Sequence, residues 1–204
     1  MLRTNGHTHL LGGLAAGALL APALAFGHIP AFLIAAVLAG PLADIDHPGS
    51  MYGKWVPLPG VAKINGQVEP FRRGPFGNSQ RSFGHVGRVL PGGILWHRAA
   101  THSFTVALAF SAAFYLLAGR LIAPEATAIG LGVLTGYLSH LALDALNVAG
   151  QQLLWPFSRK PVRPPWPRIP VGSLGEMLTV VALVGGLLLW APRILSTLRL
   201  PHGL

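Results

Sequence analysis

Histidine and carboxylate recur together in this sequence at spacings that suit metal coordination. His140 and Asp144 lie four residues apart in an apolar run, so on a helix they share one face. Asp44, Asp46 and His47 place three ligands within four residues. Pro41 and Pro48 flank them, interrupting regular helix and letting several side chains turn inward. His97 and His102 bracket a third segment, and His9 follows the N-terminus in a fourth. Neutral imidazole with carboxylate suits Zn²⁺, Mn²⁺ or Fe²⁺. The chain has no cysteine, so any ion must rest on nitrogen and oxygen. The candidates His9, Asp44, Asp46, His47, His97, His102, His140 and Asp144 exceed the three or four ligands of one catalytic zinc. Two ions about 3.5–4 Å apart, or one ion with histidines orienting its ligands, would use them all; two ions is the preferred reading. Arg98 could clamp a phosphate or stabilise developing charge, or simply mark a helix end at the membrane surface. Thr101 and Ser103 could hydrogen-bond ligands or cap the following helix, capping being the preferred reading. Taken alone, His140 and Asp144 could also be a hydrogen-bonded pair joining two helices.

The elements that must position these groups are membrane helices. Of 204 residues, 51% are hydrophobic and only 10% charged, with a mean hydropathy of +0.53. A soluble domain usually carries about 25% charged residues. Five apolar stretches stand out: Leu10 to Phe26, Ile29 to Leu42, Phe104 to Leu117, Ala126 to Leu146 and Met177 to Leu195. A bilayer span needs about 20 such residues. The second is short and ends at Gly40-Pro41, so it is a span finishing at Ile45 or a re-entrant segment. The first also fits a signal peptide with an Ala23-Leu24-Ala25 cleavage site; cleavage would remove His9. With five spans, twelve basic residues fall on one face, and Arg120, Arg193 and Arg199 on the other. Basic loops stay in the cytoplasm, which predicts an inner-membrane protein with its N-terminus inside. The net charge of +9 then reflects topology and attraction to lipid headgroups, and no nucleic-acid partner is expected.

All the candidate ligands fall at the same end of these spans. Together, the residues Thr8-His9 with Gly12-Gly13, Asp44-Ile45-Asp46-His47-Pro48, His97-Arg98 with Thr101-His102-Ser103, and Gly136-Tyr137 with Ser139-His140 and Asp144 resemble the membrane-bound metal-dependent hydrolases. These are also known as the YdjM-like inner-membrane proteins. Leu153-Leu154-Trp155-Pro156 is similar to that family's closing motif. The resemblance implies an integral membrane metal-dependent hydrolase. It also implies a distant similarity to zinc-dependent phospholipase C and the P1-type nucleases, whose helix-borne His-x-x-x-Asp pairs His140 and Asp144 match. The segment from Gly49 to Trp96 departs from the family pattern.

The expectation is an all-α polytopic membrane bundle of about five helices, forming a single membrane-embedded domain over residues 1–204. An irregular cytoplasmic loop (48–96) and a Pro-rich basic loop (156–173) complete it. Either loop could lie on anionic lipid, and the first could serve as a lid. In the hydrolase reading His9, Asp46, His47, His97, His102, His140 and Asp144 hold metal. Asp44 is a ligand or general base, and Arg98 faces a phosphate-containing substrate. The alternatives are a transporter, for which internal repeats and broken helices would be the sign, and a structural membrane protein that binds an ion.

Overall fold

The computed structural model describes residues 5–24, 27–46, 50–53, 55, 100–146, 150–162, 165, 169 and 173–198. Among the described residues the chain forms five α-helices and no β-strand: α1 (Asn5–Leu20), α2 (Ile29–Ala39), α3 (Phe104–Leu121), α4 (Ala126–Ala145) and α5 (Leu174–Leu198). Four segments among the described residues are long and apolar enough to cross a bilayer: Ile29–Asp46, Phe104–Leu121, Ala123–Ala145 and Leu174–Arg193. The all-α membrane bundle read from the sequence is the architecture observed.

The first apolar stretch differs from expectation. It does not run as one helix from Leu10 to Phe26; α1 starts at Asn5 and stops at Leu20, and Pro22 lies in a 3₁₀ turn over Ala21–Ala23. Its 16 residues extend about 24 Å, short of a hydrocarbon core of about 30 Å. α1 still packs against α2, α4 and α5, so it belongs to the bundle.

Local sequence sets the other boundaries. Pro30 suits the first turn of α2, where its missing N–H is not needed. At Gly40-Pro41 the α-helical bonding fails, and the chain tightens into a 3₁₀ helix over Gly40–Asp46. The second apolar stretch therefore continues as one helical segment from Ile29 to Asp46. Ser103 caps α3 by accepting from the Val106 amide at 3.3 Å. At the other end of the bundle, His28 Nδ1 lies 3.5 Å from Glu125 Oε1. That contact joins the α1–α2 turn to the α3–α4 turn.

α4 is central, touching α1, α2 and α3. Glycine permits the approach: a Cβ on Gly136 would overlap the Ala36 carbonyl, and one on Gly40 would overlap the His9 carbonyl. Backbones of α1, α2 and α4 thus touch directly, as small residues allow between membrane helices. α5 is the reverse case. None of its most apolar stretch is buried, and Leu189 is 86% exposed, as suits lipid-facing side chains. Of the long 48–96 loop, Ser50–Gly53 and Trp55 are described; the rest lies outside the described residues.

Candidate metal centre

Five predicted site residues meet at one end of the bundle. His9 comes from the second turn of α1, Asp44 from the 3₁₀ helix, His102 from just before the α3 cap, and His140 and Asp144 from α4. His102 Nε2 lies 3.3 Å from His140 Nε2, 3.4 Å from Asp44 Oδ1 and 3.4 Å from Asp144 Oδ2. His140 Nε2 lies 3.7 Å from Asp44 Oδ1, and His9 Nε2 lies 3.6 Å from Asp144 Oδ1. The rings of His9 and His140 stack with centroids 3.7 Å apart. His102 and His140 are fully buried, Asp144 nearly so, while the Asp44 side chain is 14% exposed. Asp44 therefore marks the open edge.

Hydrogen bonds fix which nitrogens face the centre. His140 Nδ1 donates to the Gly40 carbonyl at 2.7 Å; a carbonyl only accepts, so Nε2 keeps its lone pair. Thr101 Oγ1 donates to Asp46 Oδ2 at 2.8 Å and lies 3.1 Å from His102 Nδ1. With its proton spent on Asp46, that hydroxyl accepts from His102 Nδ1–H. Tyr137 in turn donates to the Thr101 carbonyl. This carboxylate–hydroxyl–imidazole chain orients His102 as the partners behind metal-bound histidines do.

The donors fit a divalent ion. Ligands about 2.0–2.1 Å from a tetrahedral ion sit about 3.3 Å from each other, close to the 3.3 and 3.4 Å separations around His102. Among the described residues two groups have metal-sized spacing: His9, His140 and Asp144, and Asp44, His102 and His140. His140 offers one nitrogen and so serves one ion at a time. Asp144 turns one oxygen toward His9 and the other toward His102, so its carboxylate can face two ions. Burial alone would pull the His102 pKa down. The carboxylates of Asp144 and Asp44 overcome that effect and push it up to about 9 in the metal-free protein.

The remaining candidates are placed as follows. Asp46 is buried beside the centre with one carboxylate oxygen on Thr101. His47, His97 and Arg98 lie outside the described residues. Ser103 is a cap, the preferred reading for both residues, while Thr101 takes the other role read for it and links Asp46 to His102. Sequence reasoning gave no role to the Gly40 carbonyl, and Tyr137 entered it only as part of the family pattern. A role for Tyr137 was within reach, because it precedes His140 by three residues on the same helix face. Glu176, at the start of α5, accepts from Thr8 Oγ1 at 3.4 Å, next to His9.

Comparison with known proteins identifies the family. A family model described as YdjM inner membrane protein matches residues 4–200. The inner membrane protein YdjM of Escherichia coli (strain K12) is 34% identical over 142 residues, covering 67% of this chain and 55% of that protein. The protein of the same name from Shigella flexneri gives the same values. The protein YvsG of Bacillus subtilis (strain 168) is 29% identical over 180 residues, 88% of this chain and 89% of its own length. The chain spans about half the length of the two YdjM relatives. No solved structure matches it, so the similarity to zinc-dependent phospholipase C rests on the residue pattern that suggested it.

Proposed function

Since this chain belongs to the YdjM family of inner-membrane proteins, we propose that it is a multi-pass membrane hydrolase that uses a divalent metal to cleave a phosphoester at the cytoplasmic membrane surface. One observation carries this reading: His9, Asp44, His102, His140 and Asp144 converge from separate elements into one largely buried cluster. Ionisable groups at membrane depth cost several kcal/mol unless they are paired, hydrated or bound to a cation. A bundle held only by helix packing has no need of them.

His102, His140 and Asp144 would hold a first ion with one position left for water, and His9 and the second Asp144 oxygen would be available to another. Zinc is the preferred occupant; Mn²⁺ and Fe²⁺ accept the same donors. When bound, such an ion supplies Lewis acidity and lowers the pKa of a bound water toward neutrality. The chain's own groups do the rest. Asp44, at the open edge, stands where a proton can be taken from an incoming water or returned to a leaving oxygen. Thr101 and Asp46 hold the His102 ring in place. Arg98, four residues before His102, would meet the substrate's anionic oxygens, and His47 and His97 would complete the ligand set. Basic loops on the cytoplasmic side attract a phosphate-bearing substrate.

The test is turnover. Purified protein with Zn²⁺ or Mn²⁺ should hydrolyse a member of a panel of phosphomonoesters and phosphodiesters. His140→Ala and Asp44→Ala should each lower the rate by about 100-fold or more. Equal rates in wild type and both variants would defeat the assignment. A second reading, a metal that staples the bundle, is favoured by the spread of ligands over four separate segments. It predicts metal-dependent stabilisation with no turnover on any substrate of the panel.

A further inference from the structure

A groove of about 620 Å³ runs along the outside of the bundle between α2, α3 and α4. One file of residues on the second span lines its length: Ala31, Ala35, Leu38, Leu42 and Ile45. Phe114 of α3 and Val133 of α4 form the opposite wall. Alanines lower the floor while Ile34 and Leu38, 61% and 55% exposed, raise the rim. The surface is concave, unlike the leucine-covered face of α5.

Three features say what occupies it. First, all three bordering helices belong to membrane-crossing segments, so the groove opens to hydrocarbon and nothing polar can fill it stably. Second, its dimensions suit a lipid chain. From Ala31 to Ile45 the helical rise is about 24 Å, more than the roughly 15 Å that one leaflet contributes. The volume falls within the usual range of small-molecule sites, about 300–1,000 Å³. Third, its ends differ. Tyr52 and Trp55 close one side, with the Tyr52 hydroxyl donating to the Leu38 carbonyl at 2.8 Å. Burial raises the Tyr52 pKa and keeps that phenol a donor. Leu42 and Ile45 lie in the same 3₁₀ helix as Asp44, so the groove ends within about 4 Å of axial rise of the exposed edge of the metal centre.

We infer that this groove holds the acyl chain of a phospholipid whose phosphate reaches the metal centre past Asp44, so that the substrate is a membrane lipid. The inference rests on the hydrolase reading for its chemistry and on the groove for its choice of substrate. The lipid approaches from the bilayer, its chain lies along α2, and its headgroup turns in at the end of the 3₁₀ helix.

The experiment separates the two halves. Wild type, the double variant Ile34→Trp/Leu38→Trp, and Leu189→Trp on the far face of α5 are extracted from phosphatidylglycerol nanodiscs and weighed intact. Wild type and Leu189→Trp should retain a phospholipid, and the double variant should lose it by about tenfold or more in occupancy. In wild type, a phosphatidic acid with a diazirine in its acyl chain should crosslink to the second span around Leu38. With turnover in hand, the preference for long-chain over water-soluble phosphoester should fall about tenfold in the double variant and hold in Leu189→Trp. Equal retention in all three proteins overturns the inference. So does a benzophenone at Leu38 that crosslinks only within the chain or to a second copy. Specific lipid retention without hydrolysis of any substrate would keep the groove and remove the hydrolase; hydrolysis with no groove dependence would do the opposite.

Discussion

Thr101 shows how much of the site hangs on a single hydroxyl. It gives its proton to Asp46 and receives one from His102, so it decides which nitrogen of that ring meets the centre. Thr101→Val keeps the shape and removes the link. Zn²⁺ affinity, measured by competition with a chelating dye, should fall about 10- to 100-fold, and Thr101→Ser should restore most of it. His102 also sets a pH signature. Without metal its pKa is raised from 6.5 to about 9, so the stability linked to its proton is complete below pH 6.5 and is lost as the pH climbs through 9. A metal ion replaces that proton and does not leave as the pH rises. The melting temperature of loaded protein should therefore pull away from that of chelator-treated protein between pH 6.5 and 9. A constant gap would show that His102 is not a ligand. The types of these residues were legible in the sequence; their division of labour was not. In a 3₁₀ helix successive residues turn by about 120°, so Asp44 and Asp46 point in different directions. Only the backbone geometry tells which of them faces His102 and His140.

At the level of elements, apolar length and helix-end chemistry announced most of the bundle. Ser103, Pro124 and Glu176 stand at or beside the starts of α3, α4 and α5. What length could not show was Pro22 cutting α1 short, because an apolar window gives little weight to one proline. Close backbone contact was likewise hidden: glycine on a membrane helix is common, and only its neighbour reveals its use. Gly136 lies one helical turn before His140 and against the Ala36 carbonyl. Gly136→Val should push α2 away from α4 and stretch the bond between His140 and the Gly40 carbonyl. The expected cost is about 1–3 kcal/mol of stability, together with weaker metal binding, measurable by thermal unfolding in detergent and by metal content. Gly185→Val on α5, where an added methyl group meets nothing within 4 Å, is the matched control and should leave both unchanged.

For the whole molecule, charge asymmetry gives a test of orientation. The chain has no cysteine, so each one introduced is a unique reporter. Arg159→Cys should react with a membrane-impermeant maleimide only after the cytoplasm is opened, and Arg120→Cys should react in intact cells. The reverse pattern would turn the protein over and move the metal centre to the outer surface. The distribution of the ligands along the chain has a consequence for biogenesis. His9 leaves the ribosome 135 positions ahead of Asp144. At about 5–20 residues per second the early imidazole waits on the order of ten seconds for its carboxylate. Metal capture at the proposed centre would thus be a late step of membrane insertion, and a nascent chain arrested before its fourth helix emerges would lack His140 and Asp144 to hold the ion.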